Sequence, residues 1–285
     1  MLVFSTAATT NSKNTKSLYY KAAKLDDSTN FSMEFSEIRK LETPDGGSLS
    51  YCRSEGRTPG VIFLGGFMSD MKGSKATALE KHCREKNQAF IRFDYRGHGD
   101  SSGNFEDGTI GSWTQDALLI LDKATKGPQI LIGSSMGGWL MILLALARPS
   151  RVSGLIGVAA APDFTERLLW EKLPEEAILA LEETGFWDQP SEYSEQPYRI
   201  TKELIEEGRD HLILNGPIHL DVPVRLIHGI NDSDVPWYYA QAIQDRISGS
   251  DVSAVLIKDG DHRLSREQDI ARICSELDSL CDQIS

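Results

Sequence analysis

Residues 129–140, Gln129 through Leu140, read QILIGSSMGGWL, and the fold follows from how this stretch is built. Gln129–Ser134 is a short apolar run with β-branched residues, the pattern of a strand buried in a parallel sheet. Trp139–Ala147 is an apolar helical run. Between them Gly133-Ser134-Ser135-Met136-Gly137 matches G-x-S-x-G, the pattern of a nucleophile elbow. So sharp a turn pushes its serine to a strained backbone angle and lifts the hydroxyl clear of the sheet. A side chain at 133 or 137 would meet the neighbouring strand and helix. A glycine-rich turn with a bystander serine would show the same letters. The strand–turn–helix context favours the elbow.

Outward from this turn, strands and helices alternate. Upstream, Phe31–Glu42 and Ser48–Arg53 read as strands joined by Thr43-Pro44-Asp45-Gly46-Gly47, a turn signal. Gly60–Leu64 and Ala89–Tyr95 read as strands, Ser74–Lys86 and Gly111–Ala124 as helices. Downstream come a strand at Val152–Ala160, a strand at Val222–Ile230, a helix at Pro236–Arg246, a strand at Val252–Lys258 and a final helix at Ser265–Leu280. The expectation is an α/β fold: a mainly parallel eight-stranded sheet covered by helices on both faces. It should form a single domain over residues 31–285.

From about residue 162 to 216 the alternation stops. Residues 163–183 and 199–213 read as acidic helices, with Trp170, Phe186, Trp187, Tyr193 and Tyr198 among them. An insertion here sits over the strand C-terminal edge, where ligands bind in open α/β sheets. It is read as a helical cap, with Trp170, Leu173, Phe186 and Trp187 as candidates to line an apolar pocket. Two ordinary surface helices with core aromatics would account for the same residues individually.

The chain has 285 residues and a net charge of −12, which disfavours nucleic acid and anionic membrane surfaces as partners. No apolar run approaches the roughly 20 residues of a membrane span. The four cysteines, Cys52, Cys83, Cys274 and Cys281, show no metal-ligand spacing, so no metal site is expected. Cys274 and Cys281 are about 10.5 Å apart along one helix, too far for a bridge. They read as reduced thiols in a reducing compartment. Residues 1–30 carry lysines and hydroxyl residues and no acid before Asp26. They read as a disordered tail or a targeting segment.

A serine hydroxyl needs a base, and the base needs a third group to orient it. Six histidines are available, and only His262 sits just past the last strand, in a loop opening over the elbow. For the acid, Asp232 lies directly after a strand and before a helix, with Asp234 beside it and Asp163 a more distant candidate. Each could instead cap a helix. Two backbone N–H groups should hold a developing oxyanion: that of Met136, after the serine, and that of Phe67, after Gly65-Gly66.

With these motifs placed, the chain resembles the α/β-hydrolase family of serine hydrolases over residues about 30 to 281. Within it the chain is similar to the branch of mitochondrial palmitoyl-protein thioesterases and acyl-glucuronide esterases and their bacterial relatives. Gly127-Pro128-Gln129-Ile130-Leu131 leading into Gly133-Ser134-Ser135-Met136-Gly137-Gly138-Trp139 carries the likeness, with Phe93-Asp94-Tyr95-Arg96-Gly97, His228-Gly229 through Val235-Pro236-Trp237, and Asp261-His262-Arg263. The resemblance puts the catalytic serine on Ser135, the acid on Asp232 through the H-G-x-x-D-x-x-V-P spacing, and the base on His262. It implies hydrolysis of carboxylic esters or thioesters through an acyl-enzyme, on a small molecule or an S-acylated protein, with no cofactor. It also implies a mitochondrial matrix location if the source is eukaryotic, and a cytoplasmic one if bacterial. Leu64-Gly65-Gly66-Phe67 and Arg96-Gly97-His98-Gly99 depart from the mitochondrial pattern. An aminopeptidase or amidase, and a non-catalytic binding protein on the same scaffold, are the rival readings.

Overall fold

The computed structural model describes residues 36–189 and 197–284; the expectations for residues 1–30 and for a strand beginning at Phe31 lie outside them or begin outside them. Eight strands form one sheet: β1 (Ile38–Glu42), β2 (Ser48–Ser54), β3 (Arg57–Leu64), β4 (Gln88–Phe93), β5 (Gln129–Ser134), β6 (Val152–Val158), β9 (Val224–Gly229) and β10 (Val252–Ile257). Their order is β1-β2-β4-β3-β5-β6-β9-β10. β1 and β2 pair antiparallel, as do β2 and β4; all other neighbours are parallel.

The apolar runs explain this arrangement. In β3 and β5 the register sets Val61 beside Ile130 and Ile62 beside Leu131, so alternate residues feed opposite faces. Val61, Ile130 and Ile132 pack with Leu79 of α1 (Ser74–Glu85) and with Ile273 and Leu277 of α7 (Glu267–Ile284). Ile62, Leu64 and Leu131 pack on the other face with Trp113 of α2 (Ile110–Leu119) and Trp139 of α3 (Met136–Ala147). Each large side chain so buried contributes about 1.5–3 kcal/mol, enough to make two-faced burial decide the fold. The helix α6 (Tyr238–Arg246) joins the second layer through Ile243. Thr109 caps α2, accepting from the Ser112 N–H while the Ser112 hydroxyl accepts from the Thr109 N–H.

The stretch between β6 and β9 corrects two expectations. The continuous helix expected over 163–183 is broken. A wide turn at Thr165–Leu169 and a tight one at Trp170–Lys172 precede α4 (Glu175–Thr184). Pro174 is the cause, because the residue before a proline is driven from the helical region, and Leu173 is extended at φ −63°, ψ 136°. The helix expected over 199–213 begins as a strand instead. β7 (Phe186–Gln189) pairs antiparallel with β8 (Tyr198–Thr201), followed by α5 (Lys202–Gly208). Tyr198, Ile200 and Thr201 are strand formers, and Thr201 ends the strand by capping α5 through the Leu204 N–H. Among the described residues no helix is long and apolar enough to cross a membrane.

Candidate active site

Ser135 falls between the last residue of β5 and the first of α3. Its backbone sits at φ 54°, ψ −120°, a conformation that costs free energy and persists only when the surroundings over-determine it. They do. The Ser135 N–H donates to the Val158 carbonyl at 3.0 Å, and its own carbonyl accepts from Gly138 at 2.8 Å and Ala161 at 3.0 Å. A Cβ on Gly137 would lie 2.2 Å from the Leu64 carbonyl oxygen, so only hydrogen fits between the elbow and the end of β3.

His262 follows β10 in a loop packed on the loop after β9. The Asn231 N–H donates to the Gly260 carbonyl at 2.9 Å, and the Asp261 carboxylate accepts from the Leu264 N–H at 2.9 Å. This places His262 Nε2 3.1 Å from Ser135 Oγ and His262 Nδ1 2.8 Å from Asp232 Oδ2. The other Asp232 oxygen accepts from the Asp234 N–H at 3.0 Å and the Val235 N–H at 2.8 Å. His228 Nε2 lies 3.2 Å from Asp232 Oδ2 and 2.9 Å from the Val235 carbonyl. Burial by itself would raise the Asp232 carboxyl. The two imidazoles and the Val235 N–H outweigh it and hold the group well below the ordinary carboxylate range.

Ser135, His262 and Asp232, named from the sequence, thus meet in one hydrogen-bonded row. Asp234 is exposed and touches that row through its backbone. Asp163 is elsewhere: fully buried at φ 58°, it accepts from the Ile213 N–H at 2.8 Å and the Leu214 N–H at 2.9 Å, pinning the two ends of the insertion together. Among the described residues Asp232, Asp234 and His262 are the one group with ligand atoms close enough to share a metal ion, all within 4.8 Å. The Asp232 oxygen and His262 nitrogen in question already bind each other.

The row opens into a cavity of about 780 Å³. Phe67 and Met136 both line it. Gly66 passes so close that a Cβ there would be 3.3 Å from the Ser135 Cβ, which brings the Phe67 backbone up beside the elbow. Met136 opens α3, so its N–H is among the first-turn donors without a partner inside the helix. The cavity's apolar wall is Phe67, Phe164, Leu168, Leu169, Tyr198 and Ile200. The Phe67 ring is held edge-on by Phe105 at 4.9 Å and Phe164 at 5.6 Å.

The insertion aromatics expected at this wall are elsewhere. Trp170, Leu173 and Trp187 pack around Leu181, Ile200 and Ile205, forming the insertion's own small core, and Phe186 lies under the Arg199 guanidinium at 4.0 Å. The lining was hidden in the sequence because Leu168 and Ile200 read the same whether they face a core or a cavity. Lys75 also lines it, as does Arg263. Lys75 carried no signal in the sequence, where it reads as an ordinary lysine on an amphipathic helix.

A family model described as the alpha/beta hydrolase family matches residues 61–275. The bovine palmitoyl-protein thioesterase ABHD10, mitochondrial, is 44% identical over 249 residues, covering 87% of this chain and 81% of its own. The solved structure of alpha/beta hydrolase domain-containing protein 10 from mouse covers 88% of this chain and 100% of its own, at 43% identity and TM-score 0.82. A bacterial structure from Agrobacterium vitis S4 covers 86% of this chain and 98% of its own, at 36% identity and TM-score 0.83. By the family match and by this identity across most of its length, the chain belongs to the alpha/beta hydrolase family.

Proposed function

We propose that this hydrolase cleaves acyl thioesters and esters through an acyl-enzyme on Ser135. The observation that carries the reading is the row Ser135 Oγ, His262, Asp232, with its 3.1 and 2.8 Å links. Ser135 Oγ attacks the acyl carbon while His262 Nε2 takes its proton. Asp232 accepts from His262 Nδ1–H, which selects the tautomer and stabilises the imidazolium. The N–H groups of Phe67 and Met136 donate to the oxyanion of the tetrahedral intermediate. His262 then returns the proton to the departing thiolate or alkoxide, and a water activated by the same nitrogen releases the acid. No step calls on a cofactor.

The acyl group enters the apolar wall formed by Phe67, Leu168, Leu169 and Ile200, in a cavity within the usual range for ligand pockets. The names of the relatives, palmitoyl-protein thioesterases, favour a long acyl chain on a protein cysteine and a mitochondrial setting.

The test is a matched panel of palmitoyl and butyryl thioesters, acyl esters and aminoacyl amides, with fluorophosphonate labelling in parallel. Labelling at Ser135, turnover of thioesters and esters above amides, and loss of both in Ser135→Ala are the expected results. The variant should retain only the small catalysis that binding and oxyanion donors supply, several orders of magnitude down. Turnover of aminoacyl amides alone would point to a peptidase or amidase. An unlabelled serine with tight acyl binding would point to a binding protein.

A further inference from the structure

One charge in this cavity sits where helix physics disfavours it. Lys75 occupies the first turn of α1, whose N-cap is Gly73 with no side-chain cap and whose first turn has no acid. A cation there opposes the partial positive charge of the helix N-terminus. Lys75 is half-buried, and its ammonium donates to the Arg263 carbonyl oxygen, with Ser265 Oγ at 3.5 Å. The Ser265 hydroxyl donates to the same carbonyl at 3.0 Å. Arg263 is the residue after His262. What offsets the unfavourable helix position is this contact with the loop that carries His262.

The role of this contact is visible in how the His262 loop is held. Toward β9 it is fastened by Asn231 N–H to the Gly260 carbonyl. On the other side of His262 the chain turns through Leu264, buried and at φ 43°. There the loop is tied to α1 by Lys75. From this juxtaposition we infer that Lys75 is a positioning residue of the reaction, bracing the Arg263 carbonyl so that His262 Nε2 stays in line with Ser135 Oγ. The inference rests on the Ser135–His262–Asp232 reading above.

The ammonium is a stronger donor than the neutral amine, because a charged donor makes the shorter, stronger hydrogen bond. Burial, with the Arg263 charge adding to it, pushes the Lys75 amine down to about 8, against the opposing pull of Asp261 and Asp269. Asp269 is itself paired with Arg266 at 2.8 Å. The other charged or titratable groups lining the cavity are His262, Asp70, Asp234, Lys172 and Tyr198. Losing the Lys75 proton weakens the brace, so turnover should decline as pH rises through about 8.

The test compares wild type, Lys75→Met and Lys75→Arg on a soluble acyl ester, from pH 6 to 10, with fluorophosphonate labelling rates and thermal unfolding alongside. Labelling of wild type at Ser135 comes first; failure there would overturn the parent reading and not this one. Lys75→Met should lower kcat and the labelling rate roughly ten- to hundredfold, as small misplacements of a catalytic group do. KM should stay near wild type, Tm should not fall, and the decline above pH 8 should vanish. Lys75→Arg should restore most of kcat and carry the alkaline decline out of the measured range. Unchanged kcat in Lys75→Met, or a rise in KM alone, would overturn the inference. So would a joint loss of Tm and kcat that arginine does not rescue.

Discussion

Replacing Asp232 by asparagine removes one charge and about one atom's difference in shape, yet the contacts dictate a large effect. The carboxylate oxygen facing Asp234 and Val235 accepts two N–H bonds, at 3.0 and 2.8 Å. An amide at this site must therefore keep its oxygen there. Its NH2 then faces His262 Nδ1 at 2.8 Å and His228 Nε2 at 3.2 Å, where the wild type presents an acceptor. His262 can meet that donor only with a bare Nδ1, which moves its proton to Nε2, toward Ser135 Oγ. A protonated Nε2 cannot take the serine proton. The loss expected from a wrong tautomer with intact geometry is about 10⁴ in kcat, or about 5.5 kcal/mol of transition-state stabilisation. The assay is kcat on a palmitoyl thioester and the fluorophosphonate labelling rate, beside Asp234→Asn, whose side chain is exposed and whose N–H is kept. That second variant should stay within about tenfold of wild type, because the Asp234 carboxylate, though it lines the cavity, is not a member of the hydrogen-bonded row and the N–H that serves Asp232 is kept. Because the folded Asp232 carboxyl is held low, its contribution to stability is fully present above the ordinary aspartate pKa of about 3.9 and is lost as pH falls through the lower folded value. The stability gap between wild type and variant in urea should therefore narrow only in strong acid. A loss in Asp232→Asn of less than about tenfold, or a larger loss in Asp234→Asn, would refute the tautomer argument.

Other substitutions probe the surroundings. Gly137→Ala puts a carbon 2.2 Å from the Leu64 carbonyl and 2.6 Å from that of Gly65, so it should cost about 1–3 kcal/mol in urea unfolding and cut kcat as the Phe67 backbone moves. Leu168→Trp narrows the apolar wall; excluding about three methylenes at about 0.8 kcal/mol each should lower kcat/KM for palmitoyl relative to butyryl substrates roughly fiftyfold. Trp187→Ala, by contrast, should lower stability by about 1–3 kcal/mol with little effect on chain-length preference, since it packs within the insertion. Asp163→Asn leaves one of the Ile213 and Leu214 N–H groups facing an amide donor; a cost of about 1–3 kcal/mol is expected, read by hydrogen exchange at those two positions.

What could be read from the letters was what the backbone geometry demands of them. Central parallel strands are buried on both faces and appear as unbroken apolar runs, so Gly60–Leu64 and Gln129–Ser134 were legible with their neighbours. The elbow was legible because glycine is obligatory where a Cβ would strike a carbonyl. The serine and the base were legible through chain order, since Ser135 and His262 each follow a strand end, whereas Asp232 stood apart from Asp234 and Asp163 only through the H-G-x-x-D-x-x-V-P likeness. The β7–β8 hairpin was not, because four-residue strands are too short to show a period of two against a helical one. Nor was the wall of the cavity, because a leucine's neighbours are set by tertiary packing. The structural use of Asp163 was hidden for the same reason: its partners are amides about fifty residues away.

Asp163 has a consequence for descent. The insertion leaves the sheet at this residue and returns at Ile213 and Leu214, whose amides end on its two oxygens. The entry is fixed as well, because Ala161 bonds the carbonyl of Ser135. Closing a longer or shorter excursion between two pinned points changes the free energy slowly, by about 0.6 kcal/mol per doubling of length. A lineage can therefore rewrite the fifty-odd residues that shape the acyl wall, in length as well as in letters, without moving Ser135, Asp232 or His262. Most of what shapes binding thus lies on a stretch of the gene separate from Ser135, Asp232 and His262, with one carboxylate marking the seam, while Phe67 serves both the wall and the oxyanion.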